Sequence, residues 1–318
     1  MSPRSRCAHQ RGAALLTAMI IVTLVATLSA AMVWQQWRAV QIEVAERARL
    51  QSAWILSGAL DWARLILRED AKSGGADHLG EPWAVPLAEA RLSTFLAVDK
   101  SNAEDAPDAF LSGSIADMQS RYNLRNLVDN NQLVPIEVEA FKRLLKAINV
   151  TPELADSIAA GLRDAQAPFD PGNPSAALPL MPKNASQLTW LGIDEESVER
   201  MSSYVVLLPR RSAVNVNTAP KEVLLAAIDG LDPGTADRLV QHRQRSPFKN
   251  LDEVRAQLGS IANSLDDQRA NTVSVFFEVR GRLRLEDRVL EESSLIERRG
   301  LDMVALSRQR ENSRESSR

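Results

Sequence analysis

An uncharged segment near the start of the chain limits what this protein can fold into. Residues 13–33 contain no charged residue and no proline, and as a helix they would span about 31 Å, the thickness of a bilayer's hydrocarbon core. Trp34 and Trp37 follow, where an interfacial aromatic belt is expected. Residues 1–12 carry three arginines and no acid, so the positive-inside rule keeps this end cytoplasmic. The pattern predicts a single-pass inner-membrane protein whose bulk is periplasmic.

The alternative is a cleaved secretory signal, for which Ser29, Ala30 and Ala31 offer small residues. The apolar run is, however, longer than the usual core of roughly 7–15 residues. Apolar positions also continue beyond the membrane at spacings of seven and four, which predicts one stripe of a continuous helix. The stripe comprises Trp37, Val44, Ala48, Ile55, Trp62 and Ile66. A retained helix is therefore favoured.

Composition excludes several functional classes. With 38 Lys and Arg against 41 Asp and Glu, the formal charge of −3 argues against a protein that coats nucleic acid by bulk charge. The single cysteine, Cys7, excludes a disulfide framework and a multi-thiolate metal site. None of the three histidines belongs to a recognisable nucleophile–base set, so we predict no enzyme. An exported, membrane-anchored enzyme is therefore not favoured, because the sequence shows no recognisable catalytic site.

Four segments together resemble one known family. RGAALLTAMIIVTL is similar to the leader junction of prepilin-like proteins. LGEPWAVPLAEARL, IADMQSRYNLRNLV and VNVNTAPKEVLLAAI resemble the K-type minor pseudopilins of type II secretion, over nearly the whole mature chain. The resemblance implies an α+β fold: an N-terminal transmembrane and assembly helix packed on a small antiparallel sheet, with a large inserted helical domain that is sterile-alpha-motif-like.

The resemblance also implies how the chain is processed and assembled. A prepilin peptidase would cleave between Gly12 and Ala13, and Ala13 would be N-methylated. Thr17 then becomes the fifth mature residue, where most pilins carry a glutamate that pairs with a neighbour's terminal amine. A threonine hydroxyl can bond to its own helix and needs no such partner. The family links this absence to a subunit at the filament tip, whose partners are the I- and J-type minor pseudopilins and the pseudopilus.

Helical spacing in 135–164 and strand-like alternation in 272–306 predict a helical block inserted between parts of one sheet. The predicted divisions are a leader (1–12), the transmembrane and assembly helix (13–70), the first part of the pseudopilin α/β domain (71–123), the helical insert (124–270), the last strands of the sheet (271–306) and a polar tail (307–318).

Two ligand questions remain open from the residues. K-type relatives can hold calcium in an acidic stretch of the insert, and the corresponding stretch here keeps only Asp164 and Asp170. The resemblance makes these two the calcium candidates, with a solvated loop as the alternative, and we predict no other cofactor. Residues 215–245 resemble a helix-hairpin-helix, which makes a membrane-anchored DNA-binding protein the alternative function. Residues 210–260 contain eight basic and six acidic residues, too little excess positive charge to bind a phosphate backbone. We therefore expect no nucleic acid partner.

Overall fold

A computed structural model describes residues 10–92, 109–167, 178–285 and 288–314, without the side chains of 10–12, 288 and 311–314. Contacts divide the chain into two units, Met1–Ser57 and Gly58–Arg318. The helices are α1 (Gln10–Ser73), α2 (Pro135–Ala147), α3 (Leu154–Gln166), α4 (Glu195–Ser202), α5 (Lys221–Ala227), α6 (Pro233–Arg245) and α7 (Leu251–Leu258). The strands are β1 (Leu87–Arg91), β2 (Ala109–Asp117), β3 (Tyr122–Asn123), β4 (Val128–Asp129), β5 (Gln132–Leu133), β6 (Val205–Val206), β7 (Val214–Asn215), β8 (Ala270–Asn271), β9 (Phe276–Leu285), β10 (Arg288–Arg299) and β11 (Asp302–Arg314).

Helix α1 is 64 residues long. It can run this far because no proline occurs between Gly12 and Glu81. It ends where Gly74 and Gly75 take positive φ values of 66° and 112°, which favour glycine. Within the described residues it is the one helix long and apolar enough to cross a membrane, judged by length and composition alone.

The second unit contains a five-stranded antiparallel sheet in the order β1-β2-β9-β10-β11. The C-terminal part of α1 packs on one face of this sheet. Its buried residues Leu60, Ala63 and Leu67 form a small core with side chains from the sheet and from the turn before β1. Those partners are Trp83, Phe277, Val279, Ile296 and Met303.

Strand β11 continues to Arg314 and so includes residues 307–314 of the segment predicted as a polar tail. This segment is paired because β10 offers a complementary partner: the buried Glu292 accepts hydrogen bonds from Arg310, with an Nε–Oε2 distance of 2.8 Å. Opposite charges on facing strands stabilise such pairs. Residues 315–318 lie outside the described part of the chain.

The insert lies between β2 and β9 and contains α2 to α7. It has its own core, which includes Phe141, Leu162 and Leu224. It also contains three short strand pairs, β3 with β6, β4 with β5 and β7 with β8. The predicted limit at 124 falls directly after β3 and the limit at 270 falls in β8, whereas the large sheet stops at Asp117 and resumes at Phe276.

The insert contacts the face of the sheet opposite α1. Met118, Val206 and Leu208 pack there against Phe276 of β9. The predicted fold class, a long N-terminal helix on an antiparallel sheet with an inserted helical domain, is confirmed. The small strand pairs were not predicted because runs of two residues give no periodic signal.

Candidate assembly surface

The apolar stripe predicted on α1 lies beside the face that the sheet covers. In the second unit, Trp62 is 50% exposed, and Ile66 packs only partly against the small core. The covered face is that of Leu60, Ala63 and Leu67. At 3.6 residues per turn the two faces differ by about a third of a turn. The sheet therefore leaves much of the predicted stripe uncovered.

In the first unit the stripe is also largely open. Trp37 and Val44 are exposed, and Ala48 and Ile55 are partly buried. Trp54, on another side of the helix, is 76% exposed. Large apolar side chains exposed together usually mark an interaction surface. We define the assembly surface as the stripe residues from Trp37 to Ile66.

Near the N-terminus, Gly12 and Ala13 both lie within α1, and residues 1–9 of the leader lie outside the described part of the chain. Thr17 Oγ1 donates to the carbonyl oxygen of Ala13 at 2.8 Å, as its hydroxyl was expected to do. Thr23 and Thr27 bond in the same way to Ile20 and Leu24. No threonine of this segment needs a partner outside the helix, which suits a lipid environment.

A buried polar cluster fastens the insert to the sheet. Asp117, at the end of β2, is fully buried, and its Oδ2 accepts hydrogen bonds from Thr218 Oγ1 (2.6 Å), Ser274 Oγ (2.7 Å) and Asn215 Nδ2 (3.0 Å). Burial raises the pKa of the Asp117 carboxyl, and these hydrogen bonds lower it again. Asn215 and Thr218 belong to the insert, whereas Asp117 and Ser274 border the sheet. The cluster therefore fixes the orientation of one on the other.

Asp77, in the turn after α1, extends this cluster. Its Oδ2 accepts from the Ser274 amide at 2.6 Å, and its Oδ1 pairs with Arg298 at 2.9 Å. Arg298 also pairs with Asp70 at 2.6 Å. Burial raises the pKa of Asp77 to about 6, although the amide of Ser274 and the charge of Arg298 both lower it.

The carboxylates Asp70, Asp77 and Glu81 lie close enough to hold one cation, with ligand atoms within 4.8 Å of one another. Arg298 already supplies a positive charge to two of them, and Glu81 accepts from the indole of Trp83 at 2.8 Å. The predicted calcium candidates are elsewhere. Asp164 is bonded by Arg163 at 2.8 Å, and Asp170 lies outside the described residues, so calcium binding there stays a prediction.

The helix-hairpin-helix-like segment is formed by α5 and α6. Gly230 turns the chain with a φ of 71°, and Asp232 caps α6. In DNA-binding hairpins the amides at such a turn bind phosphate. Here Asp232 Oδ1 already accepts from the amides of Gly234 (2.9 Å) and Thr235 (3.1 Å). A carboxylate at this position repels phosphate.

The sequence alone did not reveal the buried cluster. Asp117 and Ser274 lie far apart along the chain, and no local pattern links them. The segment VNVNTAP supplies both Asn215 and Thr218, but the sequence linked it only to the family resemblance. The covered face of α1 could have been found from the spacing of Leu60, Ala63 and Leu67, but the two tryptophans made the neighbouring stripe look stronger.

A long apolar N-terminal helix whose end packs on an antiparallel sheet defines a pilin-like subunit, and this one carries a large helical insert. Two family models described as "Type II secretion system (T2SS), protein K" match residues 120–210 and 214–275. Over these residues the chain is similar to the type II secretion system protein K family.

Individual relatives and a solved structure show the same similarity. The chain is 28% identical to the type II secretion system protein K of Pseudomonas aeruginosa, over 88% of this chain and 86% of that protein. It is 27% identical to the protein K of Pectobacterium carotovorum subsp. carotovorum, over 95% and 96%. Its fold is similar to a chain in the crystal structure of the GspK-GspI-GspJ complex from the enterotoxigenic Escherichia coli type 2 secretion system. That match has a TM-score of 0.64 and 18% identity, over 85% of this chain and 99% of that one.

Proposed function

We propose that the chain is the minor pseudopilin that caps the tip of a type II secretion pseudopilus and helps to start its assembly for protein export. The observation that carries this proposal is the uncovered stripe on α1. A helix whose far end is packed on a sheet, but whose Trp62 stays exposed, offers apolar surface to other helices of the same kind. The partners are then the I- and J-type minor pseudopilins.

Two features of the chain support a tip position. Thr17 bonds to its own helix and offers no carboxylate to the amine of a subunit above it. The insert adds bulk on the side of the sheet away from α1. Another subunit stacked above would have to accommodate both features.

The same proposal fixes the location and processing of the chain. The three leader arginines keep residues 1–12 in the cytoplasm, α1 crosses the inner membrane once, and the remainder is periplasmic. A prepilin peptidase removes the leader after Gly12. Mass spectrometry of the N-terminus recovered from membranes should give a chain starting at N-methylated Ala13. A start near Ala31 would indicate ordinary secretion and remove the assembly helix.

Assembly is tested by co-purification with the I- and J-type proteins of the same system. Ile55→Asp and Ala48→Glu place charge on the assembly surface and should weaken recovery of both partners, because an apolar contact would have to bury that charge. Asp61→Asn, on the exposed side of the same helix, is the control and should recover them fully. Full recovery with both charged variants would contradict the proposal.

We expect no enzymatic activity, because the family is one of structural pseudopilins. The alternative of DNA binding through 215–245 loses support from the capping of α6 by Asp232, which occupies the amides that phosphate would need.

A further inference from the structure

A polar cleft separates the sheet from the insert on the side opposite α1. Its volume is about 790 Å³, within the range of ligand sites. The floor is the open face of β2, β9 and β10. The wall is formed by Arg121 at the start of the insert and by the chain around Lys183 and β6. The hydrophobic contact of Val206 and Leu208 with Phe276 lies at its inner end.

The floor of the cleft presents hydrogen-bond donors in cross-strand rows. Ser114 lies opposite Arg280 on β9, and Arg280 lies opposite Ser293 on β10. The next row contains Ser112, Arg282 and Glu291. Residues that face one another across antiparallel strands share a face of the sheet, so these side chains line one surface. Hydroxyl and guanidinium groups together are suited to binding carboxylates.

Positive charge is in excess in this cleft. Arg280 is paired with Glu278 at 2.9 Å, and Arg282 with Glu291 at 3.3 Å. Glu292 also borders the cleft, but its carboxylate is buried and paired with Arg310. The cations left over are Arg121 and Lys183, for whose charged groups the described part of the chain offers no hydrogen-bond acceptor.

Arg121 is the more informative of the two cations. It is partly buried, and this burial lowers the pKa of its guanidinium. The charge of Glu278 acts on Arg121, but the carboxylate of Glu278 is paired with Arg280. A carboxylate of a bound ligand would therefore give Arg121 the paired partner that Arg280 already has.

We infer that this cleft binds an acidic peptide segment, with one carboxylate on Arg121 and a second near Lys183, while the serines of the floor bond to its backbone. The site lies on the face of the sheet opposite the one that Leu60, Ala63 and Leu67 of α1 cover. It therefore leaves α1 free, and its occupant differs in chemistry from the apolar helices expected there.

The test uses the full chain in detergent micelles and two fluorescein-labelled peptides, one of eight glutamates and one of eight glutamines. Fluorescence anisotropy should show saturable binding of the glutamate peptide and at least about tenfold weaker binding of the glutamine peptide. Arg121→Gln should lower the affinity for the glutamate peptide by about tenfold or more, which is the usual effect of losing a hydrogen bond between charged groups.

Lys183→Gln provides a second variant, because the side chain of Lys183 is exposed and its replacement leaves the fold intact. It should weaken binding by about threefold. Arg255→Gln is the matched control, since Arg255 lies on α7, is paired with Asp252 at 2.7 Å and is outside the cleft. Equal binding of the two peptides would overturn the inference. So would full binding by both cleft variants, or an equal loss in the Arg255→Gln control.

Discussion

At the scale of single residues, Asp77 links folding to pH. Its pKa is about 6 in the folded chain and 3.8 in its ordinary state. The folded chain therefore holds this proton more tightly than the unfolded chain does. The contribution of Asp77 to stability is fully present below about pH 4 and is lost as the pH rises through about 6.

The expected loss from Asp77 is about 2 kcal/mol in the free energy of unfolding between about pH 4.5 and pH 7.5. Asp77→Asn removes this titration, so the variant should lose about 2 kcal/mol less than the parent over the same interval. Urea unfolding of both proteins at the two pH values measures the difference. Identical losses would mean that Asp77 has an ordinary pKa.

Thr17 allows a second test at this scale. Thr17→Glu places an acid in the membrane-spanning part of α1, where it costs roughly 2.5–3.5 kcal/mol unless it is paired. A tip subunit has no neighbour above to provide an amine, so co-purification with the I- and J-type proteins should fall. Thr17→Ser keeps the bond to Ala13 and should assemble normally. Normal assembly of the glutamate variant would contradict the tip position.

At the scale of elements, different faces of α1 affect stability and assembly. The buried face contributes to stability, and the exposed stripe is proposed to contribute to assembly. Leu67 is fully buried in the small core, so Leu67→Ala should lower the free energy of unfolding by about 2–5 kcal/mol. Trp62 is half exposed, so Trp62→Glu should change it by less than about 0.5 kcal/mol and still reduce recovery of the partners. Chemical unfolding and co-purification of both variants give the two readouts. A large loss of stability in Trp62→Glu would show that the stripe belongs to the core.

The sequence predicted the helices and strands better than it predicted which face of α1 is covered or how the insert joins the sheet. The uncharged run, the absence of proline and the alternation after residue 272 were enough for the long helix and the last strands, because these signals are local. The end of β11 was missed because Arg310 looks like part of a polar tail until its partner Glu292 is known. The Asp117 cluster was missed for the same reason, since its members meet only after the insert has folded.

At the scale of the whole molecule, the insert resembles a DNA-binding module without its binding chemistry. The full chain should bind duplex DNA at about 0.15 M salt no better than a neutral polymer does, because Asp232 occupies the turn amides and the region is nearly balanced in charge. Fluorescence anisotropy with a labelled duplex provides the measurement. Micromolar binding that Arg238→Ala abolishes would restore the DNA-binding alternative.

The pairing of β2 with β9 also determines the order in which the molecule can fold. Asp117 lies opposite Phe277, so this pairing closes a loop of about 160 residues, at an entropic cost on the order of 4 kcal/mol if the loop is unstructured. A folded insert removes most of that cost, because the side-chain oxygen of Gln119 then accepts from the amide of Val275 at 2.7 Å and holds both ends together. Because the chain is synthesised from the N-terminus, the whole helical insert is made before β9. We therefore expect the sheet to close last, so that an error in the folding of the insert delays formation of the surface on which the C-terminal part of α1 docks.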